Sequence, residues 1–211
     1  MNSAILSGSR PTTELEAVNI ILSGIGEAPV NSLSDMTADV SLARNILAEI
    51  SRETQTEGWQ WNTEDDYPLT PDAAKGEIKL PPTAIRVHFR EPDGRELTIR
   101  GQRVYDRANH SFTFPSGTRI PVTLTLLLPF EDLPEAARRY VTLKAARVFQ
   151  ERTVGSGTLY DFQQADEARA RALMLAEERR QDRPNILKGT LPPTGTWNPW
   201  LTLLHRNRRI L

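Results

Sequence analysis

The chain has 211 residues, 38% hydrophobic and 25% charged, with 26 Lys plus Arg balanced by 27 Asp plus Glu. This is the composition of an ordinary soluble chain with one substantial core, and no apolar run approaches the roughly 18–20 residues of a membrane-spanning helix. With no cysteine, disulfides, thiol catalysis and thiolate metal sites are excluded, and a net charge of −1 argues against a surface that grips nucleic acid all over.

Met1 to Arg10 is polar and reads as a loose arm; without the long apolar block of a signal peptide, cytoplasmic synthesis is expected. Thr13 and Glu16 are spaced as a capping box that opens a first helix, with Leu15, Val18, Leu22 and Ile25 on its buried face. Gly24 and Gly26 end it, and Pro29 keeps it from restarting. Gly24-x-Gly26 is also a fragment of a dinucleotide fingerprint, but it follows a helix rather than a strand, so it is read as helix termination. A second helix is predicted from about Thr37 to Glu57, with Val40, Ala43, Leu47 and Ile50 as its stripe and Gly58 as its stop.

From Trp59 to Leu128 the pattern changes to short β-branched and aromatic runs: Ile78–Leu80, Ile85–Phe89, Leu97–Arg100, Arg103–Tyr105 and Phe112–Phe114. Glu91-Pro92-Asp93-Gly94 reads as a tight hairpin turn between two of them. Ile120–Leu126 alternates apolar side chains with Pro and Thr, which makes it the clearest strand. Pro121 places its start at an edge or just outside the ladder.

Asp132, Pro134 and Glu135 then write a helix start, with Asp132 as cap, Pro134 in the first helical position and Glu135 completing the box. Leu133, Ala137, Tyr140, Val141 and Val148 form the stripe of this third helix, which runs to about Thr153. Gly155-Ser156-Gly157 breaks it. A fourth helix follows from near Thr158, with Asp161 as box partner, to about Gln181. Its small residues Ala165, Ala168, Ala172 and Ala176 are expected to permit close helix contact. Asp166, Arg169, Arg171, Glu177, Glu178 and Arg180 are expected to be solvated. The fold class is therefore α+β: a bundle of about four antiparallel helices with an inserted β-rich lobe and an extended C-terminal tail. The divisions are a helical hairpin over 12–57, a β-rich lobe over 58–129, a helical pair over 130–185 and an arm over 186–211, acting as one unit.

Candidate chemistry is sparse. His88, His110 and His205 show no metal-ligand spacing, and no nucleophile elbow or phosphate loop is present. Glu64-Asp65-Asp66, with Trp59, Trp61 and Tyr67 nearby, has two readings. One is an exposed acidic loop after a Trp-x-Trp strand; the other is the carboxylate pair of a polysaccharide hydrolase with an aromatic sugar platform. At the C-terminus His205, Arg206, Arg208 and Arg209 form a basic tip near Trp197 and Trp200. Trp with Arg is the favoured pairing of interface anchors, so these five Trp and Arg residues are candidate partner-binding residues, beside the alternative of a tail folded on its own core. No cofactor is expected.

The run Glu14-Leu15-Glu16-Ala17-Val18-Asn19-Ile20-Ile21-Leu22-Ser23-Gly24-Ile25-Gly26-Glu27-Ala28-Pro29-Val30 resembles the opening of the tail tubular protein A family of short-tailed bacteriophages. Gly58-Trp59, Val104-Tyr105-Asp106-Arg107 and the helix from Leu133-Pro134-Glu135 to Arg147-Val148-Phe149 resemble the same family, in order, from about Glu14 to the end of the fourth helix. The resemblance implies a structural virion protein in the tail below the portal vertex. It implies a ring of about twelve copies between the portal protein and the nozzle (tail tubular protein B), through which double-stranded DNA passes without specific binding. A tail fibre is a further candidate partner. The stretch from Gly189 onward falls outside the resemblance.

Overall fold

The computed structural model describes residues 10–34, 37–89, 96–155 and 157–181. Helix α1 (Glu14–Ser23) starts on the expected reciprocal box: Thr13 Oγ1 accepts from Glu16 N, and the Glu16 carboxylate accepts from Thr13 N. Helix α2 (Ala38–Thr56) is capped by Thr37, and Gly58, at φ +83°, ends it in a left-handed conformation that a Cβ would strain. Helices α3 (Glu135–Thr153) and α4 (Gly157–Gln181) follow the β segment. The pairing of Thr158 with Asp161 lies outside the described side chains.

Helix α3 is the middle layer. Helices α1 and α2 pack against one side of it, through Val18, Ile21, Ile46, Ile50, Val141, Ala145 and Phe149. Helix α4 packs against the other side, where Ala170 and Met174 meet Leu133, Ala137, Tyr140 and Trp59. Burying apolar groups on both flanks is why α3 carries alanines where it is approached closely and large residues where gaps remain. Each large side chain fully buried here, such as Phe149 or Tyr140, contributes about 1.5–3 kcal/mol through loss of water contact. Polar bonds mark the directions. Arg147 pairs with Glu167 at 2.5 Å and Arg171 reaches Tyr140, so α3 and α4 are antiparallel.

The β segment forms two sheets. Strands β1 (Thr63–Leu69), β2 (Ala84–Phe89) and β5 (Ile120–Leu126) make an antiparallel sheet in the order β1-β5-β2. Strands β3 (Leu97–Arg100) and β4 (Arg103–Asp106) make a two-stranded hairpin. Its two turn residues, Gly101 and Gln102, both have positive φ, the geometry that matches the twist of a short hairpin. Ile78, Val104, Phe114, Val122 and Leu124 fill the space between the sheets.

Several expectations change. Ile120–Leu126 is the central strand of its sheet, and its start lies inside the ladder on one side: Ile120 pairs with Leu69 and Pro121 lies opposite Pro68, while the pairing with β2 runs only as far as Val122. Setting the two prolines face to face puts both missing donors at one register position. Strands β2 and β3 do not form a hairpin with each other; they belong to different sheets. The turn residues Glu91 to Gly94 lie outside the described residues. Ile78–Leu80 and Phe112–Phe114 take part only in isolated bridges, Lys79 with Arg103 and Glu77 with Thr113. The Trp-x-Trp segment is a 3-10 turn over Gln60–Asn62, and the acidic residues after it are themselves a strand.

The start of α3 also differs. Asp132 belongs to a 3-10 turn over Phe130–Asp132, and Pro134, with extended ψ, precedes the helix without a side-chain cap. Glu135 turns outward to accept from Thr12 N and Thr12 Oγ1. The box is thus replaced by a tie to the segment before α1. On α4 the alanines face away from α3: Ala165, Ala168 and Ala172 are exposed and Ala176 half-buried. Arg171, expected in solvent, instead faces inward to Tyr140.

Candidate functional site

Three polar junctions hold the helices and the β segment in register. At the first, Gln55 at the end of α2 is fully buried. Its Nε2 donates to Leu128 O at 3.0 Å and to Ser51 Oγ at 3.0 Å, while its Oε1 accepts from Leu128 N at 2.7 Å. Asn62 completes the joint, donating to Gln55 O and Leu126 O and accepting from Trp59 N. The chain enters the β segment beside the point where it leaves, and two amide side chains fasten the crossing. Neither position shows periodicity or a motif, so sequence reading misses both; a Gln and an Asn flanking a helix-ending Gly-Trp are the available signal.

At the second junction Arg138, near the start of α3, donates to Leu133 O, Thr12 O and Glu131 O and lies 3.5 Å from the Glu131 carboxylate. It satisfies carbonyls of the non-helical segments that precede α1 and α3. The third is Arg171 on α4, which makes two bonds to Glu57 at 3.1 and 2.9 Å and one to Tyr140 Oη at 2.9 Å. The paired Glu57 carboxylate raises the guanidinium pKa above its ordinary value, aided by the Tyr140 hydroxyl and outweighing the cost of burial. On the α2–α3 flank, Glu49 accepts twice from Arg152, at 2.9 and 3.0 Å, and the Arg152 hydrogen bond holds the Glu49 carboxyl below its ordinary value.

The acidic residues sit on a kink in an edge strand. Pairing of β1 with β5 shifts between Glu64 and Tyr67, and Asp66 has φ +57° at that bulge. All three carboxylates are exposed, and Asp65 accepts from Thr123 Oγ1 at 2.8 Å. Trp59 and Trp61 stack with ring centroids 6.3 Å apart. Trp59 is buried, and its indole N–H donates to Thr54 O. Trp59 is therefore a core residue and presents no face to a sugar. His88 lies on β2 opposite Thr123, and His110 occupies a turn at φ +50°. Among the described residues no group of three or more His, Asp or Glu is placed to hold a metal ion.

The basic tip is a different matter. Trp197, Trp200, His205, Arg206, Arg208 and Arg209 all lie outside the described residues. What the described surface does present is an apolar outer face on α4, where Phe162 is 69% exposed and Leu173 61%. Their spacing with the outward alanines is legible in the sequence, but spacing alone does not tell an outer face from a packing face.

The described residues form a layered helical body joined to small antiparallel sheets, with the polar side chains named above serving as joints. Comparison with known proteins gives the class. A family model described as Tail tubular protein matches residues 15–184, and the chain belongs to that family. It is a structural protein of the bacteriophage tail. Among individual proteins it is similar to Tail tubular protein A of Klebsiella phage KP34, 29% identical over 171 residues that cover 81% of this chain and 89% of that protein. The resemblance read from the Glu14 run, the Val104 run and the α3 segment is borne out. The match stops short of the region from Gly189 onward.

Proposed function

We propose that this chain is a head-to-tail adaptor. Copies of it close into a ring between the portal protein and the tubular nozzle, and the ring continues the channel by which DNA leaves the capsid. Membership of the tail tubular protein family over residues 15–184 carries this reading. The layered helices support it, because a closed ring needs two different faces on each subunit and α3 separates two. In this reading the chain works as one unit, with a helical hairpin over 12–57, a β-rich lobe over 58–129, a helical pair over 130–185 and a partner-binding arm over 186–211. The protein sits in the virion tail below the portal vertex after synthesis in the host cytoplasm.

The role is passive and non-enzymatic. A near-neutral or acidic lumen wall lets the DNA backbone slide, whereas a dense basic lining would hold it at physiological salt. The balance of 26 basic and 27 acidic side chains supports a wall of the first kind. The arm, with Trp197, Trp200, Arg206, Arg208 and Arg209, docks on the portal or the nozzle rather than on DNA. The exposed carboxylates of Glu64, Asp65 and Asp66 are surface groups; replacing all three by amides leaves assembly intact and removes no glycan-cleaving activity.

Electron microscopy of the protein mixed with its cognate portal ring, beside the protein alone, is the test. A ring of added density beneath the portal is expected, and its symmetry gives the copy number. Absence of that density refutes the adaptor role. Deleting residues 189–211 is expected to abolish docking without changing the melting temperature of the isolated protein; a deletion variant that docks normally refutes the role given to the arm.

A further inference from the structure

The limb by which the chain enters the β segment runs along the last three turns of α4. Arg171 makes two bonds to Glu57, Ala170 and Met174 pack on Trp59, and the Glu178 carboxylate accepts from Gln60 N at 2.6 Å. Trp61, stacked beside Trp59, packs against the same cluster. Residues 170, 171, 174 and 178 share one face of the helix, and that face reaches four of the five positions from Glu57 to Trp61. Gln60 opens the 3-10 turn that leads into β1, where its N–H has no partner inside the turn, and Glu178 supplies one. The exit limb is held differently, by Gln55 and Asn62.

These contacts hold the entry limb with little apolar burial. Among the described residues of α4, Ala170 and Met174 are the buried apolar ones, whereas α1, less than half as long, buries Ala17, Val18, Ile21 and Leu22. Beyond Met174 no described side chain of α4 is buried. The Arg171–Glu57 pair keeps 40% and 39% of its two side chains exposed, and Gln60 is exposed as well. Exposed ion pairs are weak and are screened by salt, and segments with few buried apolar contacts are the first to open in a native protein. The chain continues from Glu178 through Gln181 into residues 182–211. Whatever grips that arm therefore acts on the same turns that hold the entry limb.

We infer that the end of α4 is a clasp linking the arm to the β segment. A partner that holds residues 182–211 keeps α4 closed on Glu57 to Trp61 and so fixes the seat of the β segment; release of the arm lets that limb open. The inference rests on the partner-binding role given to the arm above and adds what docking does to the rest of the chain. Amide hydrogen exchange of the full-length protein, alone and bound to its cognate portal ring or tubular nozzle, is the test. In the unmodified protein, binding is expected to slow exchange over residues 57–62 about tenfold. A variant carrying Arg171→Ala and Glu178→Ala is expected to bind equally well and to lose that slowing. Glu178→Gln, which keeps an acceptor oxygen for Gln60 N–H, is expected to retain it. Slowing that persists in the double variant comes from direct contact with the partner and overturns the clasp. Binding that leaves residues 57–62 unchanged in the unmodified protein also overturns it, and both results leave the adaptor standing. Binding to neither partner overturns the adaptor reading and the clasp together. Should the double variant not fold, Glu178→Ala alone decides: weaker slowing than in the unmodified protein supports the clasp, and equal slowing overturns it.

Discussion

Replacing Gln55 by leucine isolates the contribution of the joint between helix and β segment. Leucine nearly preserves the buried volume, so the change is chiefly in hydrogen bonding. Bonds to Leu128 N, Leu128 O and Ser51 Oγ are lost together. The Leu128 N–H and C=O then lack their partner at a half-buried position. Leaving a buried polar group unpaired costs about 1–3 kcal/mol, and partial access to water puts each group in the lower half of that range. The expected loss is about 2–4 kcal/mol, or about 4–16 °C in melting temperature for a chain of this size. Gln55→Glu is expected to be worse, because it retains an acceptor for Leu128 N–H but turns a second oxygen towards Leu128 O and buries a charge. Urea unfolding of the monomer followed by circular dichroism measures both. A Gln55→Leu protein within about 0.5 kcal/mol of the parent, at an unchanged denaturant slope, would show that water replaces the amide and that the joint is not a source of stability.

Other substitutions test separate parts. Phe149→Ala empties a fully buried site between α3 and the α1–α2 pair and is expected to cost about 3–5 kcal/mol by the same denaturation measurement. Gly101→Ala meets no atom within 4 Å but must adopt φ +55°, so only backbone strain of about 1 kcal/mol is expected. On acidification, Glu49 releases stability in a defined direction. Its folded carboxyl lies below the ordinary 4.5, so its contribution is complete above that pH and is lost as pH falls through the folded value. Asp72, lowered from 3.8 chiefly by the Lys75 N–H, acts in the same direction. Stability is expected to fall as pH drops below these ordinary values, and Glu49→Gln to flatten the fall; an identical acid profile for the variant removes Glu49 from the account.

Local signals are legible where one residue type dictates one geometry. Thr13 with Glu16, Thr37, and Gly58 mark the ends of α1 and α2 because caps and left-handed stops leave little choice. The same signals mislead at Asp132, where tertiary bonds from Thr12 to Glu135 and from Arg138 to three carbonyls replace the local box. The alanines of α4 are visible, but alanine packs inside or sits outside equally well, and Met174 decides the inner face. Strand pairing is less legible still. Nothing local to Ile85–Phe89 says that its neighbour is Ile120–Leu126, more than thirty positions away, rather than the next strand along. Strand β1 is hidden by Glu64, Asp65 and Asp66, whose exposure on a bulged edge removes the usual alternation. Buried Gln55 and Asn62 cannot be told from surface amides without knowing what lies across from them.

The crossing fastened by Gln55 and Asn62 has a consequence for how such a protein can change. The chain departs from the helical body at Trp59 and returns at Leu128, and the two points are tied side by side through Asn62 to Leu126 and Gln55 to Leu128. Two further ties lie beside this crossing, from Gln60 N–H to Glu178 on α4 and from Arg86 on β2 to Glu57 O. Lengthening or trimming the far end of the segment therefore leaves the helical layers in place, provided that these ties and the packing of Trp59 on α3 and α4 are kept.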